Sequence, residues 1–346
     1  MPRAFLMVLL VACSTPELPS RAVDEGDLPQ DDPAVEEPDT EPPPTPTPTD
    51  DTGQPVDTDA DGIVDRLDTC PELFDPEQLD LDGDRIGDLC DPDRDGDSIP
   101  NDFDPYPDEQ DWPGVATPET IYAHTAYELF RFDVNTLAVT RVGRWGGDAL
   151  GVFPTDLAID RFGVVYVTDG PDLFVCRPDT AACRRLGSAG VGANGLTFVP
   201  PGTLDPVRDV LVGMGGVQWT RVDRVGASFT VTPLGTFDDL GSFSSGDAFS
   251  IDGVGTFATI TIDNRDTLVR LDPLTGRIEE ELFAFTRGVQ ARQIWGLAGW
   301  IDGFIYAFAA SGEVFQFDPA TNDVRVAVAT SNGWWGAGVR TIPAAP

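Results

Sequence analysis

From residue 117 onward the chain alternates short apolar runs with clusters of Gly, Asp and Pro, and the alternation is periodic. The segments Phe132-Asp133-Val134-Asn135-Thr136, Cys176-Arg177-Pro178-Asp179-Thr180, Val222-Asp223-Arg224, Leu271-Asp272-Pro273-Leu274-Thr275-Gly276 and Phe317-Asp318-Pro319-Ala320-Thr321-Asn322 recur at spacings of 44, 46, 49 and 46 residues. Each reads as a hairpin turn, since Asp side chains bond the backbone that follows them and Pro, Gly and Asn suit turn torsions. Apolar runs at 164–168 and 173–176 precede such a turn, runs at 139–142 and 324–328 follow one, and runs at 157–160 and 297–302 begin a unit. Four short strands in about 46 residues is the period of a β-propeller blade. Five units fill 117–346. The first lacks its innermost strand, because Thr120-Ile121-Tyr122-Ala123 aligns with the second position, and a spare strand at 336–342 follows the last. The pattern therefore predicts an all-β fold: a five-bladed β-propeller whose C-terminal strand completes the first blade and leaves no open sheet edge.

A different pattern occupies residues 57–104. Aspartates there stand at alternate positions in three ladders: Asp57, Asp59, Asp61, Asp65, Asp68, then Asp80, Asp82, Asp84, Asp88, Asp91, then Asp93, Asp95, Asp97, Asn101, Asp104. These are positions 1, 3, 5, 9 and 12 of a twelve-residue calcium loop, and Ile63, Ile86 and Ile99 fall where a backbone carbonyl serves as the seventh-position ligand. Calcium takes six to eight oxygens, so a chain that wraps it must turn alternate carboxylates inward. Pro71, Pro76, Pro92, Pro100, Pro105 and Pro107 leave no room for flanking helices, which argues against EF-hands. With its Cys-Pro after the first loop, its Asp-Pro-x-Gln link and its Gly-Asp-x-Cys-Asp close, the stretch resembles thrombospondin type 3 repeats, which implies bound Ca2+. Arg85 and Ser98 stand where the first loop has Gly62, so the sharp turn at position 6 is expected to be less comfortable in loops two and three.

Charge sharpens the division. The 346 residues carry a formal net charge of −37, and residues 1–111 hold 33 acids against 5 arginines. Such a balance disfavours nucleic acid and anionic lipid surfaces as partners, so no nucleic acid is expected, and it favours bound cations. A segment so small and acidic cannot fold by apolar burial alone, so metal and a Cys70–Cys90 disulfide are expected to replace a core. Residues 14–56 are rich in Pro, Thr, Asp and Glu and read as a disordered tether with a reach on the order of 130 Å.

Ahead of the tether, the apolar segment 4–12 is too short to span a bilayer but suits the core of a secretory signal. Leu10-Val11-Ala12-Cys13 resembles the lipobox of bacterial lipoproteins, which implies cleavage before Cys13, lipidation of that thiol and membrane attachment. By the same analogy Ser14 implies the outer membrane. The expected division is a signal at 1–12, lipidated Cys13 and linker at 13–56, calcium repeats at 57–111 and the propeller at 112–346. Cys176 and Cys183 flank a hairpin turn, so a cross-strand disulfide is expected there, leaving Cys13 as the odd thiol.

Chemistry for catalysis is sparse. His124 is the sole histidine, which excludes the usual serine or cysteine triad and a zinc site. Asp156 and Asp247 precede inner strands at equivalent positions and could face the central channel, as a hydrolase or lyase would need. Loops that lead into inner strands carry Trp145, Phe153, Asn194, Arg292, Trp295, Trp334 and Trp335, a mixture suited to a shallow protein or glycan site. The sequence thus points to a non-enzymatic envelope lipoprotein that displays a binding propeller on a calcium-stiffened stalk, with an envelope hydrolase or lyase as the alternative.

Overall fold

The computed structural model describes residues 55–190, 192, 194–226, 228–238, 240–285, 293–299 and 301–341. The expected signal 1–12, Cys13, nearly all of the tether and Arg292 lie outside the described residues.

Among the described residues the ordered elements are strands, with no α-helix. Blade one contains β1 (Ile121–His124), β2 (Glu128–Phe132) and β3 (Val139–Arg144), completed on its inner side by β21 (Gly336–Gly338). The two-residue strand β4 (Gly146–Gly147) crosses to the outer edge of blade two, where it pairs in parallel with β8. Blade two is β5 (Asp156–Ile159), β6 (Val165–Thr168), β7 (Asp172–Cys176) and β8 (Ala182–Ser188), and blade three is β9 (Gly195–Val199), β10 (Val210–Gly215), β11 (Gln218–Val225) and β12 (Ser228–Thr236). Blade four is β13 (Phe243–Ile251), β14 (Gly255–Ile262), β15 (Arg265–Leu271) and β16 (Ile278–Ala284). Blade five is β17 (Ile294–Gly299), β18 (Ile305–Ala309), β19 (Glu313–Asp318) and β20 (Asp323–Ala329).

The inner strands β5, β9, β13, β17 and β21 neighbour one another in that order, and β21 returns to β5, so the ring is shut. Blade one is made of both ends of the propeller sequence: Ala123 pairs with Ala337 and His124 with Gly336. Burial explains the uneven apolar pattern along each unit. Inner and middle strands such as β5 and β18 are buried at every position, while the outermost, such as β12 and β20, alternate and carry polar residues outward. Four of the repeated Asp segments are turns between third and fourth strands, as where Asp133 Oδ1 accepts the amides of Asn135 and Thr136, and Asp272 Oδ1 that of Leu274; Val222-Asp223-Arg224 is instead part of β11, because Arg221 takes the Asp223 carboxylate that would have capped a turn, and the chain reverses after Val225. Cys176 and Cys183 are register partners on β7 and β8 and form a disulfide with Cα atoms 4.0 Å apart.

The calcium-repeat stretch ends against the propeller. Ile99 is fully buried with Val164 and Val175 of blade two, and Phe103, Tyr106 and Phe162 surround them. Burying one such isoleucine contributes about 1.5–3 kcal/mol. The rings of Phe103 and Phe162 lie 4.9 Å apart, and Arg161 covers both. Arg184 of β8 bonds both carboxylate oxygens of Glu109 at 2.8 Å and lies over the Trp112 ring at 4.2 Å. The Ala116 amide then donates to Gly163 O, in the turn between β5 and β6.

Candidate functional site

Two constellations of carboxylates carry chemistry, one in the loops and one in the propeller channel. In each loop the first residues converge: ligand atoms of Asp57, Asp59 and Asp61, of Asp80, Asp82 and Asp84, and of Asp93, Asp95 and Asp97 lie within 4.8 Å of one another. Their other oxygens hold the loop in shape. Asp57 Oδ2 accepts the amide at position 6, as do Asp80 Oδ2 and Asp93 Oδ2, while Asp61, Asp84 and Asp97 accept the amide at position 7. The position 6 turn is kept in all three loops, with φ of 101° at Gly62, 80° at Arg85 and 76° at Ser98. The last two are strained residues in a glycine conformation.

At position 9, Asp65 Oδ1, Asp88 Oδ1 and Asn101 Oδ1 each accept the backbone amide of position 2, so these side chains staple the loop; Asp65 Oδ2 also accepts from Thr58 Oγ1, and Asn101 Nδ2 donates to Asp91 O. At position 12, Asp68 and Asp104 each engage one oxygen with a nearby amide and leave Oδ2 buried without a donor. Asp59 Oδ2, Asp93 Oδ1 and Asp97 Oδ2 are orphaned in the same way, as is Asp75 Oδ2, a residue the ladder pattern does not include. Buried oxygens without donors, arranged round a point, fit a hard cation. In the third loop, burial, together with the neighbouring carboxylates, pushes Asp104 up to about 7 and Asp97 up to about 6. A divalent ion there would reverse that crowding. Between the first two loops, Cys70 and Cys90 form a disulfide with Cα atoms 5.8 Å apart.

The second constellation lies in the channel. Asp156 opens β5 and Asp247 lies midway along β13, and both are fully buried and close enough for their carboxyl groups to interact. Two carboxyl groups can meet this way only by sharing a proton, and burial raises both, with the Asp247 charge raising Asp156 further. Burial pushes Asp247 up to about 8 even though its oxygens accept three amides, from Ala248, Leu297 and Ala337, while Asp156 Oδ2 accepts that of Leu196. The pair thereby fastens blades three, five and one to blades two and four. Carboxyls in mutual contact do not leave the separation of about 5–10 Å that glycoside hydrolysis requires. His124 is also fully buried; its Nδ1–H donates to Thr125 O at 3.0 Å, and burial pushes its pKa down to about 4, so the ring is neutral. Its Nε2 and Asp156 Oδ1 both press on Gly336, where any Cβ would collide with them.

Directly above lies the channel mouth, a cavity of about 280 Å³ lined by Thr155, Asn194, Gly246, Trp295 and Trp335. Every blade contributes one residue: Thr155, Asn194, Trp295 and Trp335 stand at or next to the start of an inner strand, and Gly246 lies within β13. The expected residues Asn194, Trp295 and Trp335 are thus brought together. Trp145 and Trp334 are not: Trp145 is buried against His124, and Trp334 is in the core beside Phe130 and Phe308, donating Nε1–H to Gly312 O. Tryptophan is equally good core, and here the strand register decides. Phe153 is half-exposed beside Tyr127, off the mouth itself. Thr155 and Gly246 escape a search for aromatic and charged groups, although each immediately precedes a channel aspartate.

Comparison with known proteins bears on the loops. Residues 56–78 and 79–108 match the thrombospondin type 3 repeat model. The cartilage oligomeric matrix protein of Rattus norvegicus is 47% identical over 55 residues, covering 13% of this chain and 7% of that protein. The match thus spans less than a tenth of its relative. Among solved structures, a protein of unknown function from Bacteroides caccae aligns with a TM-score of 0.35 at 11% identity, over 60% of this chain and 72% of that one. BamB from Moraxella catarrhalis aligns with a TM-score of 0.30 at 16% identity, over 65% and 63%. These structural likenesses assign no function.

Proposed function

We propose that this chain is a calcium-loaded envelope lipoprotein whose propeller is a binding platform rather than a catalyst. One observation carries the reading: the third calcium loop seats on the turn between β5 and β6, at the far end of β5 from Thr155 and the channel mouth. The mouth, with Trp295 and Trp335 on its wall, therefore lies at the opposite end of β5 from the seat of the calcium repeats. An anchor at Cys13, a long tether and a calcium-set seat would present that aromatic face to a protein or glycan at the outer membrane. The occupant enters between rigid strand ends, a geometry suited to recognition with little ordering cost.

The test is a pull-down from bacterial envelope extract with the calcium-loaded chain, comparing wild type with Trp335→Ala and Phe153→Ser. A partner retained by wild type and lost with either substitution supports the platform. A partner captured equally by all three forms places recognition elsewhere and defeats the reading. For the anchor, Cys13→Ala should abolish fatty-acid labelling, and labelling that survives the change would defeat that part.

A further inference from the structure

Where the third calcium loop meets the propeller it leaves a gap. Between the end of the loop and blades two and three lies a cleft of about 500 Å³, within the ~300–1,000 Å³ usual for small-molecule sites. Phe103, Asp104 and Pro105 of the loop line it on one side, and Phe162, Tyr166, Phe198 and Phe229 of the blades supply aromatic surface. Most charges on the lining are matched: Arg221 takes both oxygens of Asp223, Arg161 pairs with Asp209, Arg208 with Asp102, and Asp104 holds the Tyr106 amide.

Three polar groups there keep free hydrogen-bonding capacity. Asp160 is only 5% exposed; its Oδ1 accepts the amides of Phe162, Gly163 and Val164, while Oδ2 receives no donor among the described residues. The Tyr166 hydroxyl makes no hydrogen bond among them either, and burial with the neighbouring Asp160 charge pushes it well above its ordinary value, so it stays a donor. Arg224 holds Gly226 O through Nε, and its terminal nitrogens have no partner among the described residues. Asp160 and Arg224 are the charges that act most strongly on the Tyr166 hydroxyl, so the three address one space.

Their chemistry narrows the ligand. The two unmatched charges are of opposite sign, so the cleft does not select a strongly charged molecule. Burial pushes Asp160 up to about 7, and near neutrality its free oxygen serves as acceptor and as donor. An ammonium answers only the ionised form and a phosphate only the protonated one, whereas a hydroxyl answers both. Adjacent hydroxyls on a ring with an apolar C–H face fit the polar trio and the aromatic lining together. A pyranose sugar carries both.

We propose that the cleft between the third calcium loop and blades two and three binds a neutral sugar residue, its hydroxyls on Asp160, Tyr166 and Arg224 and its C–H face on the aromatic lining. The site is separate from the channel mouth and does not depend on what the mouth binds.

The experiment screens the calcium-loaded full chain on an array of neutral, sialylated and sulfated glycans and follows the strongest neutral binder by isothermal titration calorimetry. Tyr166→Phe and Asp160→Asn should each weaken it by about fivefold to tenfold, as loss of one or two hydrogen bonds would, with thermal melting unchanged. Trp335→Ala, at the mouth, should leave the affinity within about twofold. Tyr166→Phe removes one oxygen from a ring that keeps its packing on Phe198, so it decides the matter alone should Asp160→Asn melt early. Binding confined to sialylated or sulfated glycans, no neutral binding at millimolar concentration, or an affinity unmoved by Tyr166→Phe overturns the proposal. Loss of the sugar with Trp335→Ala would place it at the mouth and overturn the proposal as well, while the envelope pull-down remains a separate readout of the platform.

Discussion

The first two calcium loops and the third share one ladder of oxygens and differ in what lies outside it. Ile86 is 40% exposed, and Leu67, Leu79, Leu81 and Leu89 around it are more so. Ile99, at the same position in the third loop, is fully buried on blade two. The first two loops thus have metal and one disulfide in place of a core, while the third also borrows the core of its neighbour. The same ligand grammar makes a spacer in one place and a joint in the other.

Removal of calcium should separate them most clearly. With chelator, the amides of Asp65 and Asp88 should lose nearly all hydrogen-exchange protection, while those of Phe103 and Trp112 keep an intermediate level, because apolar contacts outlast the ion. Equal loss in all three loops would break the comparison. Next, Ile99→Ala should destabilise the docked segment by about 2–4 kcal/mol in denaturant unfolding, and Ile86→Ala by less than about 0.5 kcal/mol. Similar values for the two would remove the distinction. A smaller change is expected from Arg85→Gly, which relieves a positive φ and should stabilise the second loop by about 1 kcal/mol, read as tighter calcium binding. The smallest concerns pH. Asp104 near 7 and Asp97 near 6 hold protons that calcium must displace, so third-loop affinity should fall as pH falls. In a variant with Asp61→Ala and Asp84→Ala, about a twofold loss between pH 8 and pH 7 is expected. A flat profile would show that the buried carboxyls are ionised throughout.

How far the sequence spoke depends on whether a property is local. Blade period, the spare strand and the ladders are set by neighbours in the chain, and each is visible as spacing. Docking of the third loop is set by Val164 and Val175, far away in sequence, so Ile63, Ile86 and Ile99 look alike until the fold brings blade two to the last of them. The aromatics Phe103, Tyr106 and Trp112 at and after the end of the third loop were the available sign. Equivalence of Asp156 and Asp247 could be read from the repeat, but not their contact, which needs the ring to bring blades two and four together across the channel. Trp145 and Trp334 show the reverse limit, since residue type names a candidate and only strand register says which way it faces.

Joining residue 123 to residue 337 has a consequence for how the molecule is made. During synthesis β1 emerges long before β21, so blade one is left with a bare inner edge while four other blades are completed. A contact between such distant parts of the chain carries a large loop-closure penalty and forms slowly. For that interval the unpaired edge of β1 can add a strand from another chain. The period of greatest risk for this protein is therefore the wait for its last strand, and aggregation in the compartment where it folds should track how soon that strand arrives.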